Sequence, residues 1–156
     1  MTLERITTLL HLFFAFGFVG TLIVADWNSR AARATSDWSR RSLLFEIVGR
    51  SSRVAGAGTL LLTGILGNLL AVQLGYRMRA DAWLRWVNLV WVAAMIMQFA
   101  VCLPAVRRLE TLAGAAAAGG GSEGWDPALR RWRLGNAFLS VLYVSLLILM
   151  VFRWRG

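Results

Sequence analysis

Four long apolar stretches dominate the chain, at about 6–25, 54–74, 86–106 and 134–152, and none has a charged residue in its central part. A hydrocarbon core about 30 Å thick needs roughly 20 predominantly apolar residues of helix to cross it. Inside that core only helices and closed barrels satisfy every backbone polar group. The pattern predicts an all-α membrane protein, a four transmembrane helix bundle forming a single transmembrane domain over 1–156. A secretory signal is the rival reading of the first stretch. That stretch is longer than an ordinary signal core, the preceding MTLER has no net positive charge, and no A-x-A-like site follows.

The net charge of +9 comes from 17 basic residues, all arginine, against 8 acids. These arginines lie in the connections and at the span ends, where they meet lipid headgroups, so the chain reads as a partner of the bilayer and not of nucleic acid. Arg30, Arg33, Arg40, Arg41, Arg50 and Arg53 fall in the first connection, and Arg107, Arg108, Arg130, Arg131 and Arg133 in the third. Fewer lie on the other side: Arg5, Arg77, Arg79, Arg85, Arg153 and Arg155. Short loops rich in arginine stay in the cytoplasm, which predicts both termini outside, in a bacterial inner membrane.

The first connection also contains Thr35, Ser36 and Asp37, which are helix-start residues, followed by Trp38, Leu44, Phe45, Ile47 and Val48 among arginines. This predicts a short amphipathic interfacial helix before the second span, or an amphipathic extension of that span. The segment 114–127, GAAAAGGGSEGWDP, is rich in glycine and reads as a flexible loop, with Trp125 as its one docking residue.

Leucine against leucine gains little in lipid, so small and polar side chains mark helix contacts. Gly56, Thr59, Thr63 and Gly67 form a thin ridge on the second span, and Gly17 and Gly20 offer close approach on the first. Asn88, Trp91, Met95, Gln98 and Cys102 share one face of the third span; Asn136, Ser140, Tyr143 and Met150 share one face of the fourth. Both faces are expected to look inward, because an amide or phenol in lipid lacks a partner. Most such groups make interhelical hydrogen bonds worth on the order of 1 kcal/mol each. Gln98 and Tyr143 are also suited to hold a polar ligand, and Met95, Met97 and Met150 to supply thioether ligands.

The acids Asp26, Glu46, Asp81 and Glu110 sit at span ends or in connections, so no ionisable relay of the kind pumps and channels use is present. With one histidine and one cysteine, Cys102, no complete catalytic set assembles, and the chain does not read as an enzyme. His11, near the start of the first span, is the candidate ligand for a haem, metal or pigment, since a neutral imidazole suits iron or copper. One chain has no second histidine, so a haem would need His11 with a methionine, a five-coordinate iron, or two chains. Gly17 and Gly20 lie on a largely different face from His11.

The arrangement TLLHLFFAFGFVGTL, with His11 followed by Gly17 and Gly20, resembles the first helix of the CopD-like superfamily of bacterial membrane proteins. That group includes copper-resistance proteins and HemJ-type protoporphyrinogen oxidases. AGTLLLTGIL (57–66), LPAVRRLETLA (103–113) and RRWRLGN with LILMVFRW (130–154) resemble an uncharacterised family of four-helix integral membrane proteins related to it. The resemblance implies a four-helix membrane fold and a first-span histidine, His11, associated with haem b or another His-ligated cofactor. The intramembrane lysine shared by HemJ-type enzymes has no counterpart here, because the chain contains no lysine, and the additional copper sites of the copper-resistance members are not evident.

Thin ridges, a surface helix and eight tryptophans, mostly at span ends, supply contact surface. The expectation from sequence is therefore an accessory or structural subunit packed in a larger redox or photosynthetic membrane assembly, with other membrane subunits or further copies of itself as partners. A haem-binding redox protein, with the Gln98 and Tyr143 faces lining its pocket, is the alternative. A small copper-handling or transport protein is a weaker one.

Overall fold

The structure, a computed structural model, describes residues 2–152. Six α-helices form four antiparallel rods: α1 (Leu3–Ala34), α2 (Trp38–Arg50) running into α3 (Ala57–Gln73), α4 (Ala82–Ile96) running into α5 (Leu103–Ala117), and α6 (Trp125–Phe152). The two composite rods are continuous because a π-helical turn joins their halves, at Ser51–Gly56 and at Met97–Cys102. All four rods are long and apolar enough to cross a membrane. The molecule is a multi-pass, all-α membrane protein.

Every rod is longer than its apolar stretch. At about 1.5 Å per residue, the 32 residues of α1 reach about 48 Å, so the arginine-bearing ends project beyond a 30 Å core. The helix before the second span is the extension of that span. Asp37 caps it by accepting a hydrogen bond from the Ser39 amide at 2.9 Å, and it packs within the bundle with Phe45 and Val48 fully buried. The loop is narrower than 114–127. Gly114–Ala117 continue α5 and Trp125 opens α6. Alanine is the strongest helix former, and the run 115–118 extends the helix until Gly119, at φ 86°, takes the left-handed conformation that closes it.

Trp125 docks, but inside the chain. Its ring meets Trp38 and Phe45 edge-on at 5.2 and 5.3 Å, and Phe45 also meets Trp132 at 5.8 Å. Arg41 stacks over Trp38 at 4.4 Å while its Nε donates to the carbonyls of Ala32 and Thr35 at the end of α1. At the same end, Gly49 lets α2 approach α5 closely, since a Cβ there would run into the Glu110 carboxylate, which pairs with Arg53 at 2.6 Å. The arginine-rich end of the bundle is thus closed by one aromatic core shared by α2, α5 and α6.

The arginine-poor end is different. There α1 packs along α3, and α4 along α6, while contacts between the two pairs are sparse. The bundle is pinned at one end and parted at the other.

Candidate functional site

The parting leaves a cleft of about 390 Å³ whose walls come from α1, α3, α4 and α6. Most of its lining is leucine, alanine, phenylalanine and tryptophan; the polar groups that reach it include His11, Asn68, Asn88 and Tyr143. Among the described residues no charged side chain lines it. Small-molecule sites share this make-up, apolar walls with a few placed polar groups, and their volumes start at about 300 Å³.

The small ridge of the second span builds one wall. Gly17 meets Thr59, where a Cβ would lie 3.1 Å from the threonine methyl. Gly56 meets Thr21 and Gln98. Gly67 meets His11, where a Cβ would sit 2.9 Å from Cε1 of the ring. Thr63 supplies its backbone carbonyl to His11. Gly20 departs from the expected packing role: it is exposed and a Cβ there would meet open space. The reason is phase, since Gly20 stands opposite the buried face that carries His11, Phe18 and Thr21.

His11 is 7% exposed, with Nδ1 3.0 Å from the Thr63 carbonyl oxygen. A carbonyl only accepts, so Nδ1 carries the proton and the neutral ring keeps a lone pair on Nε2. Nε2 makes no hydrogen bond with any described residue. A ligating histidine is commonly held in this way, its other nitrogen donating to a backbone carbonyl that fixes tautomer and orientation.

Tyr143, Trp91, Asn68 and Asn88, which also line the cleft, are hydrogen-bonded within the chain. Tyr143 donates from its hydroxyl to the Ala15 carbonyl at 2.8 Å, tying α6 to α1. Trp91 donates from Nε1 to Leu60 at 3.0 Å and lays its ring where a Cβ at Gly64 would otherwise stand. Asn68 donates to Asn88 at 2.8 Å, a second bridge between α3 and α4, here from side chain to side chain. The cleft therefore offers Nε2 of His11 as an imidazole lone pair without a hydrogen-bond partner among the described residues.

Of the residues expected around a ligand, Tyr143 and Met150 line this cleft with His11; Met95 and Gln98 do not. Gln98 is buried further toward the arginine-rich end, where it donates to the Ser52 carbonyl at 3.1 Å and so bridges the two π-helical turns. Met95 is half-buried in the apolar core that includes Phe18, Leu60 and Leu139. Helical periodicity gives a residue's direction around the axis and not its height along the bundle. Gln98 stands about 15 Å from Asn88 along the helix. Asn68 went unnoticed; its signal was an amide in the middle of an otherwise apolar run.

Among the described residues no group of three or more histidine, cysteine or acidic side chains is placed to hold a metal ion. For a haem, the donor chemistry fits in part. His11 offers one axial nitrogen, Met150 lines the same cleft, and the walls suit a flat apolar ring. Among the described residues no cation lines the cleft for a haem's two carboxylates; the nearest arginines in sequence to its lining residues Leu74 and Tyr76 are Arg77 and Arg79.

Fold and cleft together define a class, the multi-pass four-helix membrane protein with an apolar cleft and one oriented imidazole. No family model, curated protein or solved structure matches the chain.

Proposed function

We propose that this protein carries a His-ligated apolar cofactor in the bacterial inner membrane, with His11 as the axial ligand of a b-type haem, and serves as a small subunit of a membrane redox assembly. The single observation that supports this reading most is the bond from Nδ1 of His11 to Thr63, which orients the ring and keeps the lone pair of Nε2 in an apolar cleft. Bound haem would supply one-electron chemistry. The chain's own part would be to hold it: His11 as ligand, Gly67 as the space for the imidazole, Trp91 and Phe16 as walls, and Met150 as a soft donor in the same lining.

The purely structural subunit reading rests on surface left open by the bundle, such as Trp27 and Trp86. The ridge of Gly56, Thr59, Thr63 and Gly67 is covered by α1, and Trp125 together with Phe45 and Val48 of α2 is buried within the bundle, while Leu43 and Ile47 of α2 stay exposed. The surplus of arginine on the helix ends that flank 35–37 and 118–124 supports a cytoplasmic position for both connections, with the cleft in the outer leaflet. The full-length protein, purified in mild detergent from cells supplied with a haem precursor, tests the reading. A Soret band is expected in the native protein and absent from His11→Ala. A colourless native protein that also fails to take up added haem would refute it.

A further inference from the structure

A second concavity lies on the lipid-facing side of the bundle, between α1 and α6, with a volume of about 940 Å³. Its walls change character along their length. Toward the membrane interior they are Val19, Leu22, Ile23, Val144 and Leu147; toward the arginine-rich end they are Arg30, Arg33, Arg130 and Arg133, with Trp27 beside them.

Arg30 is engaged by Asp26 at 2.9 Å. Arg33, Arg130 and Arg133 are exposed and make no ion pair or hydrogen bond with any described residue. The Asn136 side chain, half-buried on the same wall, also has no hydrogen-bond partner among them. Four cations thus face one acid. From Arg30 to Val19 is about 16 Å of helix, the depth of one leaflet of a 30 Å core. Basic pockets between membrane helices at the cytoplasmic side recognise anionic headgroups, and here the pocket continues into an apolar trough of acyl-chain depth.

We propose that the groove between α1 and α6 binds an anionic diacyl phospholipid, its phosphate held by Arg33, Arg130 and Arg133 and one acyl chain lying along Val19, Leu22, Ile23, Val144 and Leu147. A packed protein helix would have to bury three unpaired guanidinium groups, which is costly. A free phosphate would leave the apolar wall unused. The site is separate from the cleft at His11 and stands or falls without it.

The test is native mass spectrometry of the delipidated full-length protein titrated with phosphatidylglycerol or phosphatidylcholine, with inorganic phosphate as competitor. Phosphatidylglycerol is expected to bind at least about tenfold more tightly than phosphatidylcholine, given the electrostatic contribution of each arginine near a headgroup. The variant R33Q/R130Q/R133Q loses that preference, whereas R77Q/R79Q/R85Q at the opposite end keeps it. V144W leaves every charge in place and fills the trough, so it lowers uptake of phosphatidylglycerol even if the triple variant does not fold. Equal binding of the two lipids, a preference that survives in R33Q/R130Q/R133Q, full displacement by inorganic phosphate, or a lipid-free dimer that phosphatidylglycerol fails to dissociate would each overturn the proposal.

Discussion

Nδ1 of His11 donates to the backbone carbonyl of Thr63 across 3.0 Å, and this bond fixes both the placement and the proton of the chain's one imidazole. The partner is backbone, so it does not depend on the threonine side chain, whose hydroxyl donates instead to Thr59 at 2.7 Å. Thr63→Ala is therefore expected to retain cofactor binding within about twofold of the native protein, while His11→Ala loses it. Loss of the interhelical hydrogen bond in His11→Ala lowers stability by only about 1 kcal/mol. Haem titration followed by absorbance, alongside unfolding in mixed micelles, separates the two effects.

Gly67 gives the ring its room. Gly67→Val places branched carbon where the Cε1 of His11 lies, 2.9 Å from even an unbranched Cβ. The imidazole must swing away from Thr63. Binding is expected to fall at least tenfold, the cost of losing roughly 1.4 kcal/mol of oriented ligation, with the helical content of the protein unchanged by circular dichroism.

The Asn68–Asn88 bridge joins the two helix pairs at the end where they part. Membrane hydrogen bonds measured by double-mutant cycles average about 0.6 kcal/mol. A cycle of Asn68→Ala and Asn88→Ala should return a coupling of about that size in an unfolding titration. A coupling near zero would mean that the bridge does not hold α3 to α4.

The closed end is expected to carry most of the stability. Phe45 is fully buried between Trp125 and Trp132, and removing such a ring leaves a cavity that costs about 3 kcal/mol in water-soluble proteins. Phe45→Ala should lower the thermal unfolding midpoint more than any single truncation around the His11 cleft, as read by differential scanning fluorimetry in detergent.

The arginine distribution predicts the orientation of the bundle in the membrane. In a background lacking Cys102, a cysteine placed at Arg79 is expected to react with an impermeant maleimide added to intact spheroplasts. One placed at Gly121 should react only after permeabilisation. The reverse pattern would invert the orientation and move the His11 cleft to the cytoplasmic leaflet.

Much of this fold was legible because lipid imposes a single demand on every span, and four charge-free runs answer it without ambiguity. The inward faces of the third and fourth spans were legible in part: Gln98, Cys102 and Tyr143 are buried as their period implies, whereas Asn136 and Ser140 line the lipid-facing groove between α1 and α6. The ends of the helices were not. Hydropathy stops at the membrane surface, whereas Trp38–Arg50 is held by the packing of Phe45 and Val48 on Leu109 and Trp125, and Gly114–Ala117 continues its helix through alanine propensity. The site was half legible. His11 and Tyr143 were identified by residue type, but the grouping of Gln98 with them failed because height along the bundle is set by which helix levels face each other. Nothing in the sequence marks Thr63 as the owner of the carbonyl that orients the histidine.

The most direct test of the central claim is a titration of the haem-free full-length protein with haem b in detergent, performed on the native chain, His11→Ala and Thr63→Ala, with absorbance recorded before and after reduction. The account predicts a saturable Soret shift with one haem per chain, or per pair of chains, in the native protein and in Thr63→Ala, and no shift in His11→Ala. An equal shift in all three proteins, or none in any, would contradict it.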